Sequence, residues 1–249
     1  MGQLIAVLSG KGGTGKTTVC AGIASALAMS GESVLCIDCD VGLRNLDIAL
    51  GMSDSGALSF LDVCRDGYSL DLAAKHIAFP NLSFLTAPIH CNADGIDRKA
   101  FLELLTQARK QFSYILLDAP AGLEAGFSLA ARYADRILLV ATADPAAVRD
   151  VARAAEVLEG MEKTDMRLIL NRVHPQTVSA MGWTVDDIMD SAALPLLGLV
   201  PEDKNVVLSA AYKIPLLTYT RRGAAAACKR IAKRLQGRHL PIHVKKPFR

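Results

Sequence analysis

The sequence predicts an α/β protein with a mostly parallel sheet of about seven or eight strands, covered by helices on both faces. Three observations lead there. Short runs rich in Leu, Ile and Val recur at residues 4–8, 34–37, 82–85, 114–117, 137–140, 168–170 and 196–200. Segments with helical spacing, rich in Ala, Leu and charged residues, lie between most of them, as at 16–30, 98–112 and 146–161. Polar, chemistry-bearing residues then follow directly on the apolar runs. Continuous apolar runs suit strands buried on both faces, and strand–helix alternation implies parallel pairing with crossover helices. Such sheets bind ligands at the carboxyl ends of their strands.

A chain of 249 residues that is 51% hydrophobic suits one α/β domain, placed at residues 1–237, with a basic tail at 238–249. The net charge of +3 conceals an asymmetry. Up to Asp203 the chain has 16 basic and all 25 acidic residues, a balance of −9, and beyond it 12 basic and no acidic ones. That end either faces an anionic partner, lipid or nucleic acid, or is a solvated basic surface. The six cysteines, Cys20, Cys36, Cys39, Cys64, Cys91 and Cys228, are scattered and unlike a disulfide framework. Cys36 and Cys39 have the spacing of a redox or metal pair, but as part of an apolar strand and its end they fit buried small hydrophobes better. No leader precedes the first strand and no apolar run approaches the ~20 residues of a membrane span. The expectation is a cytoplasmic protein. Apart from the Ala-rich stretch 224–227, low-complexity sequence and linkers are absent.

After the first strand, Gly10 to Thr17 follow G-x-x-x-x-G-K-T. Glycines let the backbone N–H groups curl toward phosphate oxygens, and the next helix adds its positive end. Gly12, Gly13, Thr14, Gly15, Lys16, Thr17 and Thr18 are thus expected to bind ATP. Lys16 is placed on the β and γ phosphates and the Thr17 hydroxyl on Mg²⁺. Lys11 is a second lysine that cradling phosphates within one subunit does not require.

The second strand closes in Ile37-Asp38-Cys39-Asp40, where alternation lets both aspartates face one side. Asp38 is assigned to Mg²⁺ through water, and Asp40 to the attacking water. The fourth run closes in Leu117-Asp118-Ala119-Pro120-Ala121-Gly122, an apolar strand ending in an acid, so Asp118 is a second metal-linked carboxylate. Gly122 and the loop to Gly126 suit a switch segment that approaches the γ-phosphate.

The loop resembles the deviant Walker A family of P-loop ATPases, K-G-G-x-G-K-T-[ST], which includes the MinD and ParA ATPases. The runs from Asp38 to Asp47 and from Asp118 to Gly126 are closer to the MinD branch. Val148-Arg149-Asp150, Asn171-Arg172 and Val200-Pro201-Glu202-Asp203, each after a strand, also match it. The resemblance spans Gln3 to about Pro241. It implies a Mg-dependent ATPase, slow without a partner, in which Lys11 reaches across a nucleotide-sandwich homodimer and acts with Lys16 and Asp40 in hydrolysis. It implies that Asn171, Arg172, Pro201 and Glu202 hold the adenine. The function it implies is an ATP-dependent dimerisation switch in division-site placement, with regulators of the MinC and MinE type. One departure is Ala146, where the family commonly has glutamate.

In the last helix Lys229, Arg230, Lys233 and Arg234 share one arc and Ala225, Cys228, Ile231, Ala232 and Leu235 the other. Beyond Gly237 the family's MinD branch has a separate insertion helix, but here Pro241 and Pro247 interrupt the short tail. Three readings follow. One is the MinD-like regulator, meeting the inner face of the cell membrane through basic residues 229–249. The second is a ParA-like partitioning or cargo-positioning ATPase using that face on nonspecific DNA. The third, ranked last, is a metallocentre-assembly ATPase using Cys36 and Cys39.

Overall fold

The structure, a computed structural model, describes residues 1–41, 43–88 and 95–242. In chain order the elements are β1 (Gln3–Leu8), α1 (Lys16–Met29), β2 (Val34–Asp38), α2 (Leu46–Leu50), α3 (Phe60–Arg65), β3 (Ala74–Lys75), β4 (Leu82–Leu85), α4 (Arg98–Gln111), β5 (Tyr114–Asp118) and α5 (Ala125–Tyr133). They continue with β6 (Arg136–Thr142), α6 (Pro145–Gly160), β7 (Met166–Val173), α7 (Pro175–Ala180), α8 (Val185–Ala192), β8 (Leu196–Pro201), α9 (Lys204–Ala211), α10 (Leu216–Tyr219) and α11 (Gly223–Leu235). The eight strands form one sheet in the order β3-β4-β2-β5-β1-β6-β7-β8. All neighbouring pairs are parallel except β3 with β4. The seven expected strands are present, and the eighth is β3, too short to leave an apolar run.

Side-chain alternation splits the interior into two layers. Leu4, Ala6 and Leu8 of β1 join α3, α4, α5, α6 and α8 on one face. Ile5 and Val7 join α1, α2, α10 and α11 on the other. Helix α1 is buried on most of its surface, between the sheet and α11. Gly22 makes that possible, since a Cβ there would lie 2.5 Å from the Cys228 sulfur.

The parallel register lines up the carboxyl ends. Asp38 of β2 is paired with Asp118 of β5, and Val7 of β1 also pairs with Asp118. The loop after Leu8 therefore opens above two adjacent strand-end carboxylates. At the far edge, α11 buries Ala224, Ala225, Ala227, Cys228, Ile231, Ala232 and Leu235, so the apolar arc of this helix is core. Arg234 donates to the carbonyls of Leu197, Leu240 and Pro241, which folds 238–242 back against β8. The rest of the tail, 243–249, with Lys245, Lys246 and Arg249, lies outside the described residues. Among the described residues no helix is long and apolar enough to cross a membrane.

Candidate active site

The loop between β1 and α1 takes its shape from glycine. Gly13 and Gly15 have φ of +80° and +82°, a region open to glycine and strained for other residues. At Gly10 a Cβ would meet the Asp150 carbonyl oxygen, so the loop lies directly on the second turn of α6. Gly15 is the N-cap of α1 and offers no side chain to its first turn. The unpaired N–H groups of that turn form an anion site with the positive end of the helix.

Beneath the loop, the Lys16 ammonium lies 2.8 Å from Asp118 Oδ1, both nearly inaccessible at 6% and 1% exposure. Burial lowers the Lys16 pKa, but the Asp118 charge and hydrogen bond outweigh it and hold the ammonium above its usual value. Asp118 is raised by burial, opposed by Lys16 and by a hydrogen bond with Thr17. Asp38, buried beside it, is pushed up to about 7 by burial and the Asp118 charge, even though it accepts N–H bonds from Asp40 and Leu46. Burial also raises Asp40. One lysine among three carboxylates leaves a surplus of negative charge that a cation would relieve.

The residues present fit Mg²⁺. Asp118 Oδ2 is buried without a hydrogen-bond partner, and the Thr17 hydroxyl adjoins the same carboxylate. No cluster of three or more His, Cys, Asp or Glu able to hold a metal exists among the described residues. Mg²⁺ itself keeps several waters and leans on substrate phosphates, so one or two carboxylates and a hydroxyl are enough to hold it. Cys36 and Cys39 do not pair. Cys36 belongs to the α1 layer and Cys39 to the α4 layer, on opposite faces of the sheet, so their spacing makes no joint site within a subunit.

Lys11 is placed differently from Lys16. Its ammonium lies 3.3 Å from Asp144 Oδ1, at the mouth of the site. Asp144 caps α6 by accepting from the Ala147 N–H and also accepts from the Thr142 hydroxyl. Burial pushes its carboxyl up, but these bonds and the Lys11 charge prevail and hold it below the usual range. Lys11, Gly12, Gly13, Thr142, Asp144, Arg172 and Glu202 line an open cavity of about 380 Å³. Sequence reasoning missed Asp144 as a partner of Lys11. The available signal was its position as an N-cap directly after β6.

A second cavity of about 280 Å³ adjoins the loop and brings together Gly13, Gly15, Thr18, Asn171, Arg172, Pro201 and Glu202. Asn171 is buried, and its Nδ2 donates to the Thr14 carbonyl at 2.7 Å. One amide N–H thus serves the loop rather than a ligand. Arg172 adopts φ +53° and pairs with Glu202 at 2.8 Å. Asp203 was not proposed as a site residue, yet it caps α9 and accepts from the Ala224 N–H, fixing the wall of this cavity to α11. On the switch side, Gly122 has φ +87° and donates to the Ser9 carbonyl. A Cβ on Gly126 would meet Pro120 at 2.3 Å. Gly42, in the run from Asp38 to Asp47, lies outside the described residues.

Comparison with known proteins bears on this arrangement. The family described as CobQ/CobB/MinD/ParA nucleotide binding domain matches residues 5–216. The chain is 38% identical over 245 residues to the septum site-determining protein MinD of Synechocystis, covering 97% of this chain and 92% of that one. Its fold superposes on the chain from a MinC:MinD cell division protein complex of Aquifex aeolicus with TM-score 0.90 at 32% identity, covering 97% and 98%. A Pyrococcus horikoshii septum site-determining protein MinD complexed with Mg-ADP matches with TM-score 0.79 at 27% identity, covering 94% and 96%.

Proposed function

The chain belongs to the CobQ/CobB/MinD/ParA nucleotide binding domain family, and we propose that within it the protein is a MinD-type ATPase. Its role is an ATP-dependent dimerisation switch that governs where the division septum forms. Relatives named for that role at 31–38% identity over nearly the whole chain support the reading. Residues 1–237 act as the ATPase unit and 238–249 as an appended basic tail.

Each residue has a task within this reading. Loop N–H groups and Lys16 bind the phosphates of ATP, and Asn171, Arg172, Pro201 and Glu202 enclose the base. Thr17, Asp38 and Asp118 hold Mg²⁺, which, when bound, neutralises phosphate charge. Asp40 orients the attacking water. Lys11 leaves Asp144 and crosses to the partner's phosphates, so that turnover requires the dimer and stays slow without a regulator of the MinC or MinE type. One observation carries this: of two lysines on one loop, Lys16 is buried on Asp118 beneath its own loop, whereas Lys11 is held at the rim, 36% exposed.

In the cell the protein works in the cytoplasm and, when dimeric, on the inner face of the membrane. The absence of acidic residues beyond Asp203 supports an anionic surface as partner. A polybasic patch contributes about 1 kcal/mol per Lys or Arg near such a surface, and dimerisation doubles it. Nonspecific DNA is the competing partner.

Lys11→Ala should abolish turnover and leave nucleotide binding by the monomer intact. Normal hydrolysis by that variant refutes the cross-dimer role. Sedimentation of the ATP-bound protein with DNA but not with anionic vesicles would overturn the membrane assignment.

A further inference from the structure

The two protein groups that meet Mg²⁺ at the end of β5 and the start of α1 already share a cation. The Lys16 ammonium lies 2.8 Å from Asp118 Oδ1 and 3.5 Å from the Thr17 hydroxyl oxygen, so it stands between the same carboxylate and the same hydroxyl. The Asp118 charge and hydrogen bond keep it an ammonium against the pull of burial. The parallel register of β1 and β5 sets this seat beneath the phosphate loop, since Val7 pairs with Asp118. Asp118 is 1% exposed. Its Oδ1 is covered by Lys16, and its Oδ2 is buried without a partner.

A metal ion approaching this carboxylate meets two obstacles. One is access: Mg²⁺ gives up its waters reluctantly, and neither oxygen of Asp118 opens to solvent while Lys16 lies on it. The other is charge, because a dication and an ammonium on one carboxylate repel each other at close range in a poorly screened interior. Asp38 offers no easier entrance. Its Oδ1 accepts from the Asp40 N–H and its Oδ2 from the Leu46 N–H, and burial with the Asp118 charge pushes its carboxyl up to about 7. Lys16 can leave only for another anion of comparable strength, since departure alone strands a buried carboxylate. Its four-carbon stem is flexible, and phosphates held by the loop N–H groups are such an anion.

We propose that Lys16 is a built-in substitute for Mg²⁺: it fills the metal's seat on Asp118 until nucleotide phosphates draw it off, so metal and nucleotide are taken up together and neither is held well alone. The proposal rests on the ATPase reading and adds the order in which that site fills. Metal without nucleotide finds the seat taken. Nucleotide without metal takes Lys16 from Asp118 and leaves that carboxylate buried and unpaired. By linkage, each ligand must then strengthen the other by the same factor.

The test uses the full chain without nucleotide, titrated with Mn²⁺ in place of Mg²⁺, the free ion being counted by its electron paramagnetic resonance signal. Lys16→Met opens the seat and should bind one Mn²⁺ at least roughly tenfold more tightly than wild type, with Mg²⁺ displacing it. Mg²⁺ should also raise the melting temperature of Lys16→Met and leave that of wild type unchanged. Lys11→Met, which removes the same charge from the 36% exposed rim, should bind the ion as wild type does. Equal Mn²⁺ binding by wild type and Lys16→Met overturns the proposal, and so does an equal gain in Lys11→Met; either result leaves the ATPase reading standing. Failure of wild type to bind ATP with Mg²⁺ present overturns both. Should Lys16→Met not fold, Asp118→Asn decides instead. There Lys16 is free for phosphates, so ATP with a chelator present should bind roughly tenfold more tightly than to wild type. Unchanged affinity overturns the proposal, as does an equal gain in Asp40→Asn, whose carboxylate attracts Lys16 by charge alone.

Discussion

Replacing Asp144 by asparagine should make the protein dimerise more readily with ATP. Asn keeps the oxygen that caps α6 through the Ala147 N–H, and it is as good an N-cap as Asp. What it removes is the charge that holds Lys11 at 3.3 Å. The two side chains are 36% and 45% exposed, so solvent screens the pair and its worth is about 0.2–1 kcal/mol. Two such pairs break per dimer, so release should favour association by about 0.4–2 kcal/mol, a two- to thirty-fold fall in Kd. Because the Asp144 carboxyl is held below the usual range, the restraint is fully present at neutral pH and is lost only as pH falls through that lowered value. The effect should shrink in high salt. Asp144→Ala releases Lys11 equally but also loses the cap, so it should melt earlier by about 1 kcal/mol of stability. Sedimentation equilibrium with a non-hydrolysable ATP analogue measures Kd, and thermal melting separates the two variants. An Asp144→Asn protein that melts like wild type and dimerises no more tightly refutes the idea that Asp144 restrains Lys11.

Three further outcomes are expected. Lys16→Met strands the buried Asp118 carboxylate, so it should destabilise the nucleotide-free protein by about 3–5 kcal/mol, and adding Asp118→Asn should recover most of that without restoring ATP binding; urea unfolding of the single and double variants measures both. Gly22→Ala places a Cβ 2.5 Å from the Cys228 sulfur and should cost about 1–3 kcal/mol, whereas Gly160→Ala, where a Cβ meets nothing within 4 Å, should gain up to about 1 kcal/mol. Paired melting curves that rank them the other way would refute the packing argument. His76 is buried as the neutral ring: Nδ1 accepts from the Ala78 and Phe79 N–H groups, so Nε2 donates to the Leu50 carbonyl at 2.8 Å. Burial lowers its pKa below 6.5, so the unfolded chain takes up the proton first; stability is complete above about pH 6.5 and falls as pH drops toward the lower folded value. His76→Gln should flatten stability against pH in that window, and an unchanged slope would place the titration elsewhere.

The sheet was legible because seven of its strands are buried on both faces, which turns each into an unbroken apolar run. Strand β3 was not, since two residues, one of them Lys75, at an antiparallel edge leave no run to find. The phosphate loop could be read for a related reason: its function depends on the spacing of glycines and one lysine along a single turn. Features that depend on distant residues meeting were hidden. Lys11 and Asp144 are 133 positions apart, and Asn171 reaches the Thr14 carbonyl across 157. Here local propensity is silent and topology decides, because β1, β6 and β7 lie side by side with their carboxyl ends together. Cys36 and Cys39 show the opposite hazard. Their spacing imitates a metal pair, but an odd offset at a strand end sends the side chains to opposite faces of the sheet.

That contrast bears on which parts of the site are fixed by the loop and which by the fold. A Cβ at Gly15 would lie 2.3 Å from Asn171 Nδ2, so the glycine serves both the phosphate turn and the close approach of β7. The motif and the Asn171 wall are therefore one structure: whatever displaces Asn171 must also disturb the Gly15 turn that starts α1. A ligand held between them couples the end of β7 to Lys16, and through Lys16 to Asp118. Within the proposed function, nucleotide occupancy would thereby bear on the loop that follows β5, where Gly122 donates to the Ser9 carbonyl. The route crosses the sheet's carboxyl edge without using the basic end of the chain.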